Sequence, residues 1–379
     1  MTIAVITRTG SVVDAIDLFC GFGGSSAGIH TAGAEVRVAA NHNQLALDCH
    51  AANFPDTEHR RADLSDPDSG DYLDPADLPP ARFLWASPSC KYHSQANATK
   101  LYERGPQGVL FGDEDFDEVA YANSERSRVT MLCPLRYAAR HRPELVCIEN
   151  VVEAAKWGPG RDGSTFRWWL SEWAKLGYDH ECCFLNSAFF PPCPQSRDRM
   201  YVVFWRHGNR RPDLDYRPKA MCTSDACSGA IVEAVQTWRQ RTAAWPLARW
   251  GKWGAQYLYT CPSCRHEVTP VAWPAYSAID WSNLGPRIGE RAELGLHRLA
   301  PSTLERIRRG VAKFAGGPPI VIPAKAVWGS DRPVTVPFGA QTTQQDKALV
   351  LEDTPCRPSS PSVRPARAEE SKHDVPAGS

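Results

Sequence analysis

Four polar groups, each beside an apolar run, carry the chemistry available to this chain. They are the thiol of Cys90 in Ser87-Pro88-Ser89-Cys90, the carboxyl of Glu149 in Glu149-Asn150-Val151, and the guanidiniums of Arg197 and Arg199 in Gln195-Ser196-Arg197-Asp198-Arg199. A thiolate that adds to carbon 6 of a cytosine turns the ring into an enamine, whose carbon 5 can then attack a methyl sulfonium; this is covalent catalysis by a positioned sulfur. A carboxyl could hold the ring nitrogen through a shared proton and accept from the exocyclic amine, lowering the barrier to addition. Arg197 could contact the ring carbonyl or an adjoining phosphate, and Arg199 the backbone of the surrounding loops. Each group also has a plainer reading. A cysteine at a strand end is a small buried hydrophobe, a glutamate after an apolar run is one half of a salt bridge, and arginines before a strand lie at the surface. Asn150 is suited to orienting its loop rather than to chemistry.

A glycine-rich turn supplies the second constellation. Asp17-Leu-Phe-Cys-Gly-Phe-Gly-Gly, running from Asp17 through Phe19 and Gly21 to Gly23 and Gly24, can bring backbone N–H groups and a helix N-terminus against the polar end of a cofactor. It is neither the dinucleotide GxGxxG pattern nor a phosphate-binding loop, since no GKS or GKT follows. Asp63, in Arg-Arg-Ala-Asp-Leu-Ser-Asp, falls where a third strand ends and could accept from an adenine amino group; as a turn or helix cap it would need no ligand.

These groups need a scaffold, and the apolar pattern provides one. Residues 13–19 form a short strand before the glycines, SSAGIHTAG a helix, EVRVAAN a strand ending at Asn41, and NQLALDCHAANF a second helix. RFLWAS (82–87), LVCIEN (145–150) and RMYVVFW (199–205) continue the series as strands. This alternation predicts an α/β fold, a doubly wound and mostly parallel Rossmann-like sheet with a smaller appended module. Each motif adjoins a strand end, where open α/β sheets bind ligands. Residues 91–127 read as a long loop that could cover the site opened by Cys90.

Composition changes after Trp205. Six of the thirteen tryptophans (Trp238, Trp245, Trp250, Trp253, Trp273 and Trp281) lie between there and about residue 300. The expected organisation is therefore a catalytic domain over 13–205, a variable module over 206–315, a C-terminal segment over 316–350 packing on one of the two, and a disordered tail over 351–379. Within the module, Cys222-Thr-Ser-Asp-Ala-Cys227 and Cys261-Pro-Ser-Cys264 have the look of two knuckles closed on one zinc ion, with buried thiols as the alternative and His266 as a substitute ligand. Basic residues precede the first knuckle (RHGNRRPDLDYRPK), and Arg306, Arg308, Arg309 and Lys313 share a short helix that could meet phosphates or simply face solvent.

The 379 residues carry 43 basic and 43 acidic side chains, so contact with nucleic acid must come from a local cluster. Thirteen cysteines without a signal peptide read as thiols and ligands of a cytosolic protein rather than as disulfides. No run of 18 apolar residues argues for a membrane span.

Over roughly residues 13–205 the chain resembles the DNA (cytosine-5) methyltransferase family. DLFCGFGG is similar to its cofactor motif, Glu149-Asn150-Val151 to its glutamate motif and Gln195-Ser-Arg-Asp-Arg199 to its QxRxR motif. The resemblance implies binding of S-adenosylmethionine, a cytosine flipped out of double-stranded DNA because the thiol cannot reach carbon 6 within the stack, and a separate target-recognition region. It assigns Asp17, Phe19, Gly21, Gly23, Asn41, Asp63 and Pro88 to the cofactor side, Cys90 to the nucleophile, Glu149 to the cytosine, and Arg197 and Arg199 to the two motif arginines. It also implies a monomer acting in the cytoplasm of a bacterial or phage-infected cell.

Three departures accompany it. Pro88-Ser89-Cys90 stands for Pro-Pro-Cys, a form that resembles a phage and actinobacterial subgroup with paired-cysteine knuckles. Asn41 stands where the family holds the cofactor ribose with an acid, which weakens that hydrogen bond or suits a cofactor carrying a different transferable group. The closing Gly-Asn-Ala-Val-like segment is not found, and Thr335–Val350 resembles an internal segment of the subgroup, so the chain is expected to be short, truncated or completed by a second chain. Alternatives to DNA methylation are thus a catalytically impaired or partner-dependent DNA-binding subunit, a tRNA cytosine methyltransferase, and transfer of a non-methyl group.

Overall fold

The structure is a computed structural model and describes residues 12–89, 128–239, 247, 249–283, 287–314, 320–323, 332–333, 335–339 and 347–350. The candidate nucleophile Cys90, the expected loop over 91–127 and the expected tail over 351–379 lie outside the described residues.

The sheet is built from β1 (Val13–Leu18), β2 (Ala34–Asn41), β3 (Glu58–Arg61), β4 (Phe83–Ala86), β5 (Leu145–Asn150), β6 (Tyr178–Asn186) and β8 (Asp198–Arg206), with the two-residue β7 (Gln195–Ser196) just before β8. Its order is β3-β2-β1-β4-β5-β8-β6. Neighbours from β3 through β5 pair in parallel, whereas β8 runs antiparallel to both β5 and β6. This is a mixed, largely parallel methyltransferase-like sheet. β5 opens on the apolar run Leu145–Ile148, whereas β1 carries Asp14 and the buried Asp17 among its apolar residues.

Helices cover both faces. On one, Ile29 of α1 (Gly24–Thr31) and Leu47 of α2 (Gln44–Asn53) pack with Val13, Ala15, Val36 and Phe83. On the other, Tyr137 and Ala138 of α3 (Cys133–His141) and the aromatic stripe of α4 (Ser164–Lys175) pack with Ile16, Leu84, Val146 and Phe204. Phe166, Trp169, Leu170 and Trp173 recur at helical spacing and form that stripe. Trp173 stacks on Phe204 at 4.2 Å, and Trp169 meets the same ring edge-on at 5.5 Å. Each pair adds about 0.5–1.5 kcal/mol beyond burial alone.

From β1 the chain steps outward to β2 and β3 and then crosses back to β4, which puts the topological switch point between β1 and β4. The ends of β1, β4 and β5 therefore open on one crevice, the place where such sheets take ligands.

The strands after Trp205 are short. β9 (Lys219–Met221) and β10 (Ile231–Glu233) form one hairpin, while β11 (Val235–Trp238), β12 (Tyr257–Thr260) and β13 (Glu267–Val268) form a three-stranded antiparallel sheet. Ala220, Tyr257, Tyr259 and Val268 join the same buried cluster as the large sheet. Phe189 takes the edge of Tyr259 at 5.5 Å, and Phe184 that of Trp238 at 5.8 Å. Consequently one compact unit extends to Trp273, and a second begins at Pro274. Aromatic packing holds the strands after Trp205 against the large sheet within the first unit. In the second unit, α5 (Pro301–Phe314) is followed by a small antiparallel sheet in which β14 (Ile320–Pro323) pairs with Arg332–Pro333 and Lys347–Val350.

Candidate functional site

At the end of β1 the backbone turns sharply. Phe19 has φ 62°, Gly21 φ 55° and Gly23 φ 101°, all in the left-handed region. A Cβ at Gly23 would come 2.6 Å from Cε2 of Phe54, so only glycine fits there. No side chain caps α1, and the turn is tied to β2 by Phe19 N–H donating to the Ala40 carbonyl at 2.8 Å.

Asp17 lies beneath this turn, fully buried. Its Oδ2 accepts from Ser25 Oγ at 2.5 Å and from Ser26 Oγ at 2.8 Å, while Oδ1 is buried without a hydrogen-bond partner among the described residues. Burial pushes the carboxyl up to about 7, against the lowering effect of the two hydroxyls. Ser26 Oγ also meets His50 Nε2 at 2.9 Å, and His50 Nδ1 meets His59 Nε2 at 2.8 Å. Burial, followed by the neighbouring His59, pushes His50 below the usual histidine range. Sequence reading found Asp17 but missed Ser25, Ser26, His50 and His59, because nothing local marks a chain of contacts spread over four elements.

Asn41, at the end of β2, is buried and accepts from its near neighbour Asn43 N–H at 2.9 Å. Asp63 Oδ1 accepts from Ser65 N–H at 2.8 Å, Ser65 Oγ at 2.8 Å and Asp66 N–H at 3.0 Å, the capping role that its sequence left open. The buried orphan oxygen of Asp17, the uncapped helix and the glycine turn together suit a polar cofactor with hydrogen-bond donors, and S-adenosylmethionine has that character. Asp17, Phe19, Gly21, Gly23, Asn41 and Asp63 are the residues that could hold it.

The rim of the same crevice carries the second set. The register pairs Ala86 with Ile148, so the Ser87-Pro88-Ser89 turn comes level with the end of β5. Three bonds fix that turn: Ser87 N–H donates to the Leu18 carbonyl at 3.0 Å, Asn150 Nδ2 to the Pro88 carbonyl at 3.2 Å, and Ser89 N–H to Thr130 Oγ1 at 3.1 Å. Asn150 thus orients the segment leading to Cys90. Thr130 escaped the sequence reading, having no motif around it.

Glu149 and Arg199 meet across adjacent strands, Oε1 to Nε at 2.7 Å, with side chains 22% and 14% exposed. The salt bridge that the sequence allowed as the plain reading of Glu149 is therefore present, and its partner is a motif arginine. At this depth an ion pair stabilises only when geometry and further hydrogen bonds offset desolvation; Arg199 Nη1 adds a bond to the Asp198 carbonyl at 2.7 Å. Arg197 is half-buried just outside β8, and its carbonyl accepts from Ser187 N–H at 3.0 Å.

The cysteines form a separate cluster. One ligand atom from each of Cys222, Cys227, Cys261 and Cys264 lies within 4.8 Å of every other. Cys222 and Cys264 Sγ are 3.5 Å apart, Cys227 and Cys261 Sγ 3.8 Å. Sulfurs about 2.3 Å from a tetrahedral zinc would sit about 3.8 Å apart, so the set fits that ion. Ser224 Oγ lies 3.3 Å from Cys222 Sγ and 3.2 Å from Cys264 Sγ, a polar partner for thiolates. His266 contributes its carbonyl, which accepts from Cys261 N–H at 2.9 Å.

The basic clusters are partly neutralised. Arg211, ahead of the first knuckle, donates to Glu181 at 2.8 Å, and Arg309 on α5 to Glu305 at 3.1 Å. The side chains of Arg306 and Lys313 lie outside the described residues. No helix among the described residues is long and apolar enough to cross a membrane.

Comparison with known proteins identifies the family. The family model for C-5 cytosine-specific DNA methylases matches residues 13–114 and 122–235, more than half of the chain. The Type II methyltransferase M1.ScrFI of Lactococcus lactis subsp. cremoris is 28% identical over 221 residues, 58% of this chain and 48% of that protein. Among solved structures, the S. pombe Dnmt2 methyltransferase is similar at TM-score 0.34 and 15% identity, over 53% of this chain and 52% of that one. The Entamoeba histolytica methyltransferase EhMeth is similar at TM-score 0.33 and 16% identity, over 53% and 55% respectively. The chain spans about half the length of these relatives.

Proposed function

This chain belongs to the C-5 cytosine-specific DNA methylases, and on that footing we propose that it transfers a methyl group from S-adenosylmethionine to carbon 5 of a cytosine flipped out of double-stranded DNA. The observation that carries the proposal is the Glu149–Arg199 pair standing level with the Pro88–Ser89 turn that leads into Cys90. A carboxylate held in place by a guanidinium, level with the turn that precedes a cysteine in the chain, supports addition of a thiolate to a pyrimidine.

In this reading the Cys90 thiolate bonds to carbon 6. Glu149 holds the ring nitrogen and the exocyclic amine, which draws electron density away from carbon 6 as the bond forms. Arg199 engages Oε1 and fixes the carboxylate before a base arrives, while Arg197 contacts the ring carbonyl or a neighbouring phosphate. Asn150 and Thr130 hold the turn before the thiol. On the cofactor side, Phe19, Gly21, Gly23, Asn41, Asp63 and Pro88 would line the pocket with Asp17 beneath the turn, and the bound cofactor would supply an electrophilic methyl group. Once carbon 5 carries the transferred group, its proton passes to solvent water and the electron pair of that C–H bond expels the Cys90 sulfur from carbon 6 as thiolate, which restores the ring. The four cysteines hold one structural zinc. Residues 206–315 serve as the target-recognition module, 13–205 as the catalytic domain and 316–350 as a C-terminal segment. The Pro-Ser-Cys turn with paired knuckles supports a phage- or actinobacterial-like subgroup, acting as a monomer in the bacterial cytoplasm.

Incubating wild-type and Cys90→Ala protein with cofactor and a duplex containing 5-fluorocytosine tests the mechanism. Wild type should form a denaturant-stable protein–DNA adduct and the variant none. An adduct with Cys90→Ala would remove Cys90 from the mechanism, and an adduct on tRNA but not on duplex DNA would change the substrate.

A further inference from the structure

The segment Trp250–Trp253 lies within the cysteine module, a few residues before β12 and Cys261, yet its polar groups point at the loops around Glu149 and Arg199. Trp250 Nε1 donates to the Val152 carbonyl at 2.8 Å, and Lys156 Nζ lies 4.5 Å over the same indole ring. Lys252 Nζ reaches Glu153 Oε1 at 2.5 Å. Glu153 is a buried carboxylate, only 7% exposed. Trp253 N–H donates to Asp198 Oδ1 at 3.0 Å, which also accepts from Asn186 Nδ2 at 3.0 Å, and the Trp253 ring meets Phe189 edge-on at 5.0 Å.

The placement of these contacts along the chain gives them a role. Val152 and Glu153 follow Glu149 by three and four residues, in the short 3-10 turn Val152–Lys156 that takes the chain away from β5. Asp198 stands between Arg197 and Arg199 at the start of β8. One four-residue segment thus holds the loop behind the carboxylate and the strand start behind the guanidinium. A buried carboxylate such as Glu153 is costly unless paired, so loss of Lys252 would drive that loop to rearrange. We infer that Trp250–Trp253 is a clasp through which the cysteine module sets the Glu149–Arg199 geometry, with Lys252 as its principal positioning residue. The inference rests on the cytosine reading for its consequence on rate, but not for the contact itself.

The test compares wild type with Lys252→Met, Glu153→Gln and Lys252→Arg at unchanged zinc content. It reads single-turnover methylation, duplex affinity, and hydrogen exchange over residues 149–156, where a loosened loop exchanges faster. Lys252→Met should slow the single turnover by about 10- to 100-fold with duplex affinity within about threefold, because misplacement by about an ångström costs rate rather than binding. It should also speed exchange over 149–156. Glu153→Gln should act in the same direction, and Lys252→Arg should restore most of both readouts. Unchanged exchange in Lys252→Met and Glu153→Gln overturns the clasp, as does lost duplex affinity at an unchanged rate, which would make Lys252 a phosphate contact. If wild type proves not to modify cytosine, exchange alone still decides the clasp, since it needs no substrate.

Discussion

The β1 end of the sheet, where we place the cofactor, and the cysteine module are held by different means. At the end of β1 the shape comes from backbone: three left-handed residues in five, a glycine pressed on Phe54, and a carboxylate buried under a helix start. In the module the strands are two to four residues long, and four sulfurs bring the two knuckles together. The first can be damaged by adding one carbon and the second by removing one ligand. Because the module packs into the main core and clasps the loops behind Glu149, damage to it should reach the rim of the crevice before it reaches the cofactor floor.

The largest expected effect comes from Cys261→Ser. A four-thiolate site that loses one ligand binds zinc far more weakly, so metal analysis should fall from one zinc per chain to none. Turnover should drop by about 100-fold or more through the displaced Glu149–Arg199 pair. Cofactor affinity by calorimetry should stay within about threefold, because the β1 turn is tied to β2 through Ala40 and packs on Phe54. A loss of cofactor binding as large as the loss of rate would erase the distinction between the two regions.

Gly23→Ala is the complementary break. The new Cβ would meet the Phe54 ring in a conformation that costs a non-glycine residue about 1–2 kcal/mol. Cofactor affinity should fall about tenfold, since 1.4 kcal/mol is a factor of ten, while zinc content stays at one per chain. Normal affinity in this variant would mean that the turn does not shape the cofactor site.

The third expected effect is a pH dependence. Burial holds the Asp17 carboxyl up at about 7, whereas in the unfolded chain it titrates near about 3.9. Between those values the folded protein keeps a proton that the unfolded chain has lost. Stability from this group is therefore present at low pH, is lost as pH rises from about 4 to 7, and is flat above. Asp17→Asn removes the dependence, so melting curves of the cofactor-free proteins should show the variant gaining on wild type between pH 5 and pH 8. A constant difference across that range would mean that Asp17 is already ionised in the folded protein at pH 5.

Much of the scaffold was legible because parallel strands buried on both faces must be apolar along their length. Leu145–Asn150 falls where its run of Leu, Val, Cys and Ile places it, Val13–Leu18 where Val13, Ala15, Ile16 and Leu18 do, and Ala34–Asn41 alternates the exposed Glu35 and Arg37 with buried residues before its fully buried end. Asp17 and the glycine turn were legible as a local motif, and the converging cysteines by their spacing. The pairing of Glu149 with Arg199 was not, because it joins residues 50 positions apart whose types suit many partners. Trp250 to Val152 and Lys252 to Glu153 span about a hundred residues. The compositional change at 206 also gave no sign that Tyr257 and Tyr259 share a core with the large sheet.

The reaction is read most directly in the product nucleosides. Purified wild-type protein, mixed-sequence duplex DNA and S-adenosylmethionine should yield, after digestion, a nucleoside with the mass of 5-methyldeoxycytidine that is absent when cofactor is omitted. Unmodified nucleosides from a protein that binds both duplex and cofactor would contradict the account, and a heavier cytosine adduct would show that the transferred group is not methyl.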